Sequence, residues 1–183
     1  MMVRAGLNTA TVAWATAAPI ITPHDLVGAG AGFVFAAIGS MLPDLDHRSS
    51  TAGRLLGRRT QRLIRIVAGG HRMGTHSLLG VYLGWWLTRF VLDSPRGDTL
   101  ADALAVGILA HMWCDLLTVD GIGLFYPFWR AKTRVGWMTT GTVHEERYIF
   151  AVRSVGIAVV AVYVVMWAPA AQTWLETTLG GTA

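Results

Sequence analysis

The chain has 183 residues, of which 53% are hydrophobic and 14% charged, and it carries a formal net charge of +4. With a mean hydropathy of +0.46 and a pI near 9.8, this composition excludes an ordinary soluble domain and favours a polytopic membrane protein. Basic residues in such a protein usually mark cytoplasmic loops that contact anionic lipids, so we expect no specific nucleic-acid binding.

The length allows about four or five transmembrane helices of roughly 20 residues each, with no room for a separate soluble domain. We therefore predict an all-α membrane bundle that forms a single domain over residues 1–183. Cys114 is the only cysteine and cannot form an internal disulfide. The sequence does not indicate the oligomeric state.

Apolar stretches predict the helices in chain order. The first is short and contains Ala15-Thr16-Ala17, which resembles a signal-peptide cleavage site, although we favour a retained helix. In the second, Gly28 and Gly32 have the four-residue spacing that lets two membrane helices approach closely. The five stretches are Leu7 to Ile21, Leu26 to Leu42, Leu78 to Leu92, Leu100 to Leu117 and Ile149 to Trp167.

A basic segment separates the second stretch from the third. Leucines and isoleucines recur in it at roughly helical spacing, which predicts an amphipathic helix on the membrane surface. A solvated basic loop is the alternative. The arginines also place this end of the helices on the cytoplasmic face by the positive-inside rule. They are Arg48, Arg54, Arg58, Arg59, Arg62, Arg65 and Arg72.

The first chemical motif, Leu42 to His47, contains Asp44, Asp46 and His47 where the second helix ends. Carboxylates and imidazoles bind divalent metals such as zinc and manganese. Two acids after a proline are also typical of a simple turn.

Two further motifs lie at the same predicted face. His71 and His76 open the third helix, and His111 and Asp115 stand four residues apart, on one face of the fourth. Ionisable groups at membrane depth persist where they are paired, metal-bound or facing water. A plain His–Asp hydrogen bond is the structural alternative.

The loop after the fourth helix offers more candidates. Asp120 and Glu145 are possible further ligands or general bases, whereas Glu146 has the character of a solvated charge. The aromatic run from Phe125 to Trp129 predicts an interfacial anchor, and a path for a lipid substrate is the other interpretation.

These motifs, in this order, resemble the YdjM-like family of LexA-regulated, membrane-bound metal-dependent hydrolases. The resemblance covers about residues 25–150, and the family is similar to the zinc-dependent phospholipase C and P1 nuclease superfamily. It implies a helical fold, clustered metals and phosphoester cleavage. The metal-binding set that it implies is Asp44, Asp46, His71, His76, His111 and Asp115, with His47 as a weaker member.

One position departs from the family pattern. Family members usually carry a histidine near the N-terminus, where this chain has Asn8 in the stretch Ala5 to Thr9. Asn8 is then either a weak oxygen ligand or the mark of a degraded metal position.

The resulting expectation is a hydrolase in which zinc, or else manganese, activates a water that attacks a phosphoester. Asp46, Asp115 or Glu145 would orient or deprotonate that water, and Arg72 with the Arg54 to Arg65 segment would hold the phosphate or its lipid surroundings. A site in a membrane favours a phospholipid or a polyprenyl phosphate as substrate. The alternatives are a non-enzymatic metal-binding or transport protein and a structural membrane subunit.

Overall fold

The structure is a computed structural model that describes residues 2–21, 26–47, 50–155, 157–158, 161–162 and 165. Its described part is helical and contains no β-strand. Arg48 of the predicted basic segment and the end of the fifth predicted apolar stretch lie outside the described residues. The helices are α1 (Met2–Ile21), α2 (Leu26–Gly39), α3 (Thr51–Val67), α4 (Leu78–Leu92), α5 (Pro95–Leu116) and α6, which begins at residue 143.

Helix α5 is the centre of the bundle and packs against α1, α2 and α4. Small residues allow the closest approach: a Cβ added at Gly107 would overlap the carbonyl of Ala36. In the same way, Gly32 of α2 lies against the ring of Trp14, whose indole N–H donates to the Ala29 carbonyl at 2.9 Å. The predicted close approach of a glycine-bearing helix is confirmed at Gly32.

Helix α3 confirms the predicted amphipathic segment. Gly57 has φ 77° and breaks the helix into two pieces, a conformation that glycine adopts without steric cost. The arginines from Arg54 to Arg65 are exposed, and so are apolar side chains such as Leu55 and Ile66. Exposed apolar and basic side chains on one helix are typical of a membrane surface segment.

Two of the described helical segments are long and apolar enough to cross a membrane, Val27–Asp46 and Pro95–Leu116. This is fewer than the four or five that we predicted. Helix α4 has the predicted bounds but only 15 residues, which makes it shorter than the two segments above. Among the described residues, α1 is not one of the helices that are apolar enough to cross a membrane. Helix α5 begins at Pro95, five residues before the predicted start, because Ser94 caps it by accepting from the Gly97 N–H.

Irregular backbone over residues 117–142 covers the end of α5. Isolated bridges join Thr118 to Met138 and Ile122 to Thr133. The aromatic run ends in Phe128 and Trp129, which are strongly exposed. This exposure agrees with an interfacial anchor.

Candidate metal centre

Two short 3-10 turns and helix α5 build the site. Helix α2 ends at Gly39, and a 3-10 turn over Pro43–Asp46 follows, with proline at its first turn. A second 3-10 turn, Gly74–His76, leads directly into α4. Ser77 caps α4 by accepting from the Gly80 N–H at 3.1 Å, which holds His76 beside the helix start.

Asp44, His76 and His111 form the group that could hold a metal ion, and we call it the triad. One ligand atom from each lies within 4.8 Å of the others. His111 Nε2 is 3.8 Å from Asp44 Oδ1, and His76 Nε2 is 4.0 Å from the same oxygen. Both histidines are buried, whereas the Asp44 side chain is 15% exposed.

Asp115 adds a second carboxylate to the triad. Its Oδ2 lies 3.0 Å from His76 Nε2 and 3.5 Å from His111 Nε2. Despite these distances, all three atoms are buried without a hydrogen-bond partner of acceptable geometry among the described residues. Buried polar groups are normally satisfied, so three such atoms that face one another need a further partner.

A divalent metal ion fits this requirement. Ligand atoms around a four-coordinate zinc ion are about 3.3 Å apart when each is roughly 2.0–2.1 Å from the metal. The four distances between a histidine Nε2 and a carboxylate oxygen, 3.0 to 4.0 Å, span that value, and the ligand atoms of the triad all lie within 4.8 Å of one another. Two imidazole nitrogens and two carboxylates are a ligand set that zinc accepts and that manganese also uses.

The ring orientation of His111 supports the same interpretation. Its Nδ1 lies 2.7 Å from the carbonyl oxygen of Ser40. A carbonyl can only accept, so Nδ1 carries the proton, and in the neutral ring the Nε2 lone pair is then directed towards Asp44 and Asp115. Gly6 of α1 packs on this ring, since a Cβ there would lie 3.1 Å from Nδ1. Asn8 is half-buried on the same helix, and its role as a substitute ligand stays a prediction.

His76 has a comparable environment. The Thr75 hydroxyl lies 3.0 Å from its Nδ1. Burial lowers the pKa of His76 below its ordinary value, against the opposing effect of the nearby Asp115 carboxylate. A neutral imidazole is the form that binds metals.

Asp46 and His71 form a separate pair beside the triad. His71 Nδ1 lies 3.0 and 3.2 Å from the two carboxylate oxygens of Asp46. The ring of His71 is 5.8 Å from that of His76 and 4.8 Å from that of His47, measured between centroids. His47 is exposed. The sequence-predicted metal set therefore divides into an inner group around Asp115 and an outer Asp46–His71–His47 group.

Arg72 was expected to hold the phosphate of a substrate, but its guanidinium is paired inside the protein. Its guanidinium donates from Nη2 to Asp115 Oδ1 at 3.0 Å, and from Nη1 to Asp120 and Thr118, each at 3.2 Å. The side chain is only 8% exposed. Arg72 thus orients Asp115, and the sequence could not show this contact because the partners are 43 residues apart.

Glu145 is not joined to the triad by any measured ion pair in the described part of the chain. One of its carboxylate oxygens, Oε2, accepts from the Gly141 N–H at 2.5 Å, near the first turn of α6. It lines a small cavity with Cys114, Thr118 and Tyr148. These contacts place Glu145 at the start of α6, with its Oε1 buried and without a hydrogen-bond partner among the described residues. Its role as a general base stays a prediction.

The structure is thus a helical bundle with two segments of membrane-spanning length and a buried His–Asp cluster that could hold a metal ion. The chain belongs to the YdjM family: the model described as "YdjM inner membrane protein" matches residues 1–178. This membership confirms the family resemblance that the motifs indicated.

Individual relatives agree with the family. The chain is 40% identical to Inner membrane protein YdjM of Escherichia coli (strain K12) over 102 residues, which is 53% of this chain and 50% of the relative. It is 30% identical to Uncharacterized protein YvsG of Bacillus subtilis (strain 168) over 112 residues, 60% of this chain and 66% of the relative. The chain thus spans half to two thirds of the length of these relatives. No solved structure matches.

Proposed function

We propose that this protein is a membrane-bound metal-dependent hydrolase that cleaves a phosphoester bond in a lipid-type substrate. The observation that supports it most strongly is the meeting of His76 Nε2, His111 Nε2 and Asp115 Oδ2 as buried atoms without hydrogen-bond partners. A zinc or manganese ion bound there would supply a water of lowered pKa and would polarise a phosphoryl oxygen.

The residues of the inner group have different tasks in this proposal. His76, His111 and Asp44 hold the metal ion. Asp115 contributes Oδ2 to the same centre, while Arg72 neutralises Oδ1 and prevents the carboxylate from turning away. Since Asp44 is the partly exposed member, the substrate approaches from its side.

The Asp46–His71 pair is suited to proton transfer. A carboxylate that accepts from Nδ1 fixes the histidine tautomer and raises the basicity of the other ring nitrogen. Asp46 is fully buried, whereas the His71 side chain is 25% exposed and can exchange protons with water. The pair therefore takes the general-base role for which Asp46, Asp115 and Glu145 were the candidates in the sequence.

A basic pocket beside Asp46 favours an anionic substrate. Its volume is about 700 Å³, and its lining contains Gln61 with Arg54, Arg58, Arg59, Arg62 and Arg65. Exposed like charges on one concave surface raise the local concentration of anions. The phosphate-binding role expected of Arg72 and of the Arg54 to Arg65 segment falls in this proposal to the segment, because the guanidinium of Arg72 is enclosed.

The proposed topology is multi-pass in a bacterial-type inner membrane, with α1 and α4 as additional spans and the site at the cytoplasmic face. The turns that carry Asp44 and His76 lie at the same end of the bundle as the basic helix α3. A concentration of arginine at one end is the feature that the positive-inside rule uses.

The test is release of phosphate from phosphatidic acid in vesicles and from p-nitrophenyl phosphate, with purified full-length protein supplied with zinc or manganese. We expect turnover in the wild type and in Asp98→Asn, whose exposed carboxylate pairs with Arg89, and loss of turnover in Asp44→Asn. Bound metal without turnover of either substrate would contradict the hydrolase proposal and would support the non-enzymatic metal-binding alternative.

A further inference from the structure

An apolar groove adjoins the triad. It lies between α3, α4 and α5 and has a volume of about 530 Å³, which is within the roughly 300–1,000 Å³ of ordinary ligand pockets. Its lining is almost wholly apolar and includes Leu42, Leu45, Leu63, Val67, Leu79 and Leu83.

One end of the groove reaches the site directly. Leu42 and Leu45, which line it, flank Asp44 in the sequence. Thr75 also lines it, and the hydroxyl of Thr75 touches the Nδ1 atom of His76. A molecule in the groove would therefore have one end close to two members of the triad.

Helix α3 separates this groove from the basic pocket. Leu63 and Val67 line the groove, whereas Arg62 and Arg65 line the basic pocket. The two concave surfaces thus offer apolar lining on one side of the site and positive charge on the other. This arrangement is complementary to an amphiphile with a hydrocarbon chain and an anionic head.

We propose that the groove binds the hydrocarbon chain of a phosphate-bearing amphiphile and so places its headgroup between the triad and the basic pocket. The proposal rests on the proposed function and specifies its substrate class. The hydrocarbon chain contacts the buried Ile108 and the leucines that line the groove. The phosphate faces the arginines, so a neutral alcohol with the same chain binds more weakly.

The experiment is photo-crosslinking of full-length protein in phosphatidylcholine nanodiscs with hexadecyl phosphate that carries a diazirine on its chain. Adducts are mapped by mass spectrometry, with unlabelled hexadecyl phosphate and hexadecanol as competitors. The blocking variant is Leu83→Trp, which adds volume in the groove. Its matched control is Leu87→Trp, one turn further along α4, which is similarly exposed and outside the groove.

We expect adducts within residues 63–68 and 79–84 that hexadecyl phosphate displaces better than hexadecanol. Labelling should fall by about tenfold in Leu83→Trp, because extra volume in a filled site causes overpacking, and it should be unchanged in Leu87→Trp. Labelling that is equal in both variants, or that neither competitor reduces, would overturn the proposal, because it would report only contact with bulk lipid.

A second pair of variants guards against misfolding. If Leu83→Trp loses its bound metal, Leu63→Trp replaces it, with Leu55→Trp as the control on the same helix, outside the groove. The photo-crosslinking signal does not require that the protein hydrolyse the probe. Groove labelling without phosphate release would therefore refute the hydrolase proposal alone, and phosphate release without groove labelling would refute the groove proposal alone.

Discussion

Arg72 and Asp115 form a buried ion pair, with 3.0 Å between Nη2 and Oδ1 and side-chain exposures of 8% and 1%. Arg72 has φ 61°, a left-handed backbone conformation that is uncommon for a residue with a side chain. The Gly123 N–H donates to its carbonyl at 2.7 Å. This pair therefore ties the segment between α3 and α4 to the end of α5, where the metal ligands meet.

The buried pair leads to a stability prediction. We expect Arg72→Ala to lower the free energy of unfolding by about 3–5 kcal/mol, because it removes the cation that faces Oδ1 of the buried Asp115 carboxylate. Arg89→Ala, which removes the exposed pair with Asp98, should cost no more than about 1 kcal/mol. Thermal unfolding in detergent measures both. If the two variants lost the same free energy of unfolding, the Arg72–Asp115 pair would not be a structural contact.

The close approach of α2 and α5 predicts a contrast between two glycines. A Cβ at Gly107 would overlap Ala36, whereas a Cβ at Gly30 meets nothing within 4 Å. Gly107→Ala should therefore destabilise the bundle by about 1–3 kcal/mol or more. Gly30→Ala should be neutral or stabilise it by up to about 1 kcal/mol, since alanine is the better helix former. Resistance to unfolding in a denaturing detergent shows which variant is the less stable. If Gly30→Ala were less stable than Gly107→Ala, the result would contradict the packing of these helices.

The proposed orientation predicts unequal access to the two ends of the bundle. In a Cys114→Ala background, a membrane-impermeant maleimide should label Arg96→Cys in intact cells, because the end of lower positive charge is placed outside. Arg58→Cys should react only after permeabilisation, while the background itself stays unlabelled. Labelling of Arg58→Cys in intact cells would place the arginine-rich end outside and contradict the cytoplasmic site.

Periodicity and local spacing predicted much of the fold. The bounds of α4 are as predicted because Ser77 caps one end and Asp93 follows the other. The spacing of His111 and Asp115 correctly placed both side chains on one face of α5, because helix geometry is local. Among the described residues, fewer helices than predicted are both long and apolar enough to cross a membrane, since the apolar stretches of the sequence do not fix the lengths of the helices.

Contacts between distant segments could not be predicted in the same way. The motif gives no reason to distinguish Asp44 from Asp46, but the 3-10 turn directs Asp44 towards His111 and Asp46 towards His71. Nothing local indicates that the guanidinium of Arg72 is enclosed by Asp115 and Asp120 rather than displayed with the other arginines. These choices depend on tertiary packing, which the one-dimensional pattern does not contain.

The central claim is that the triad with Asp115 binds a divalent metal ion. The most direct test is elemental mass spectrometry of detergent-purified wild type, His111→Ala and His144→Ala, all reconstituted with zinc or manganese. His144 is exposed and is not a member of the triad, so its variant controls for histidine loss in general. We predict stoichiometric metal in the wild type and in His144→Ala, and its loss in His111→Ala. Metal retained in His111→Ala, or absent from the reconstituted wild type, would contradict the claim.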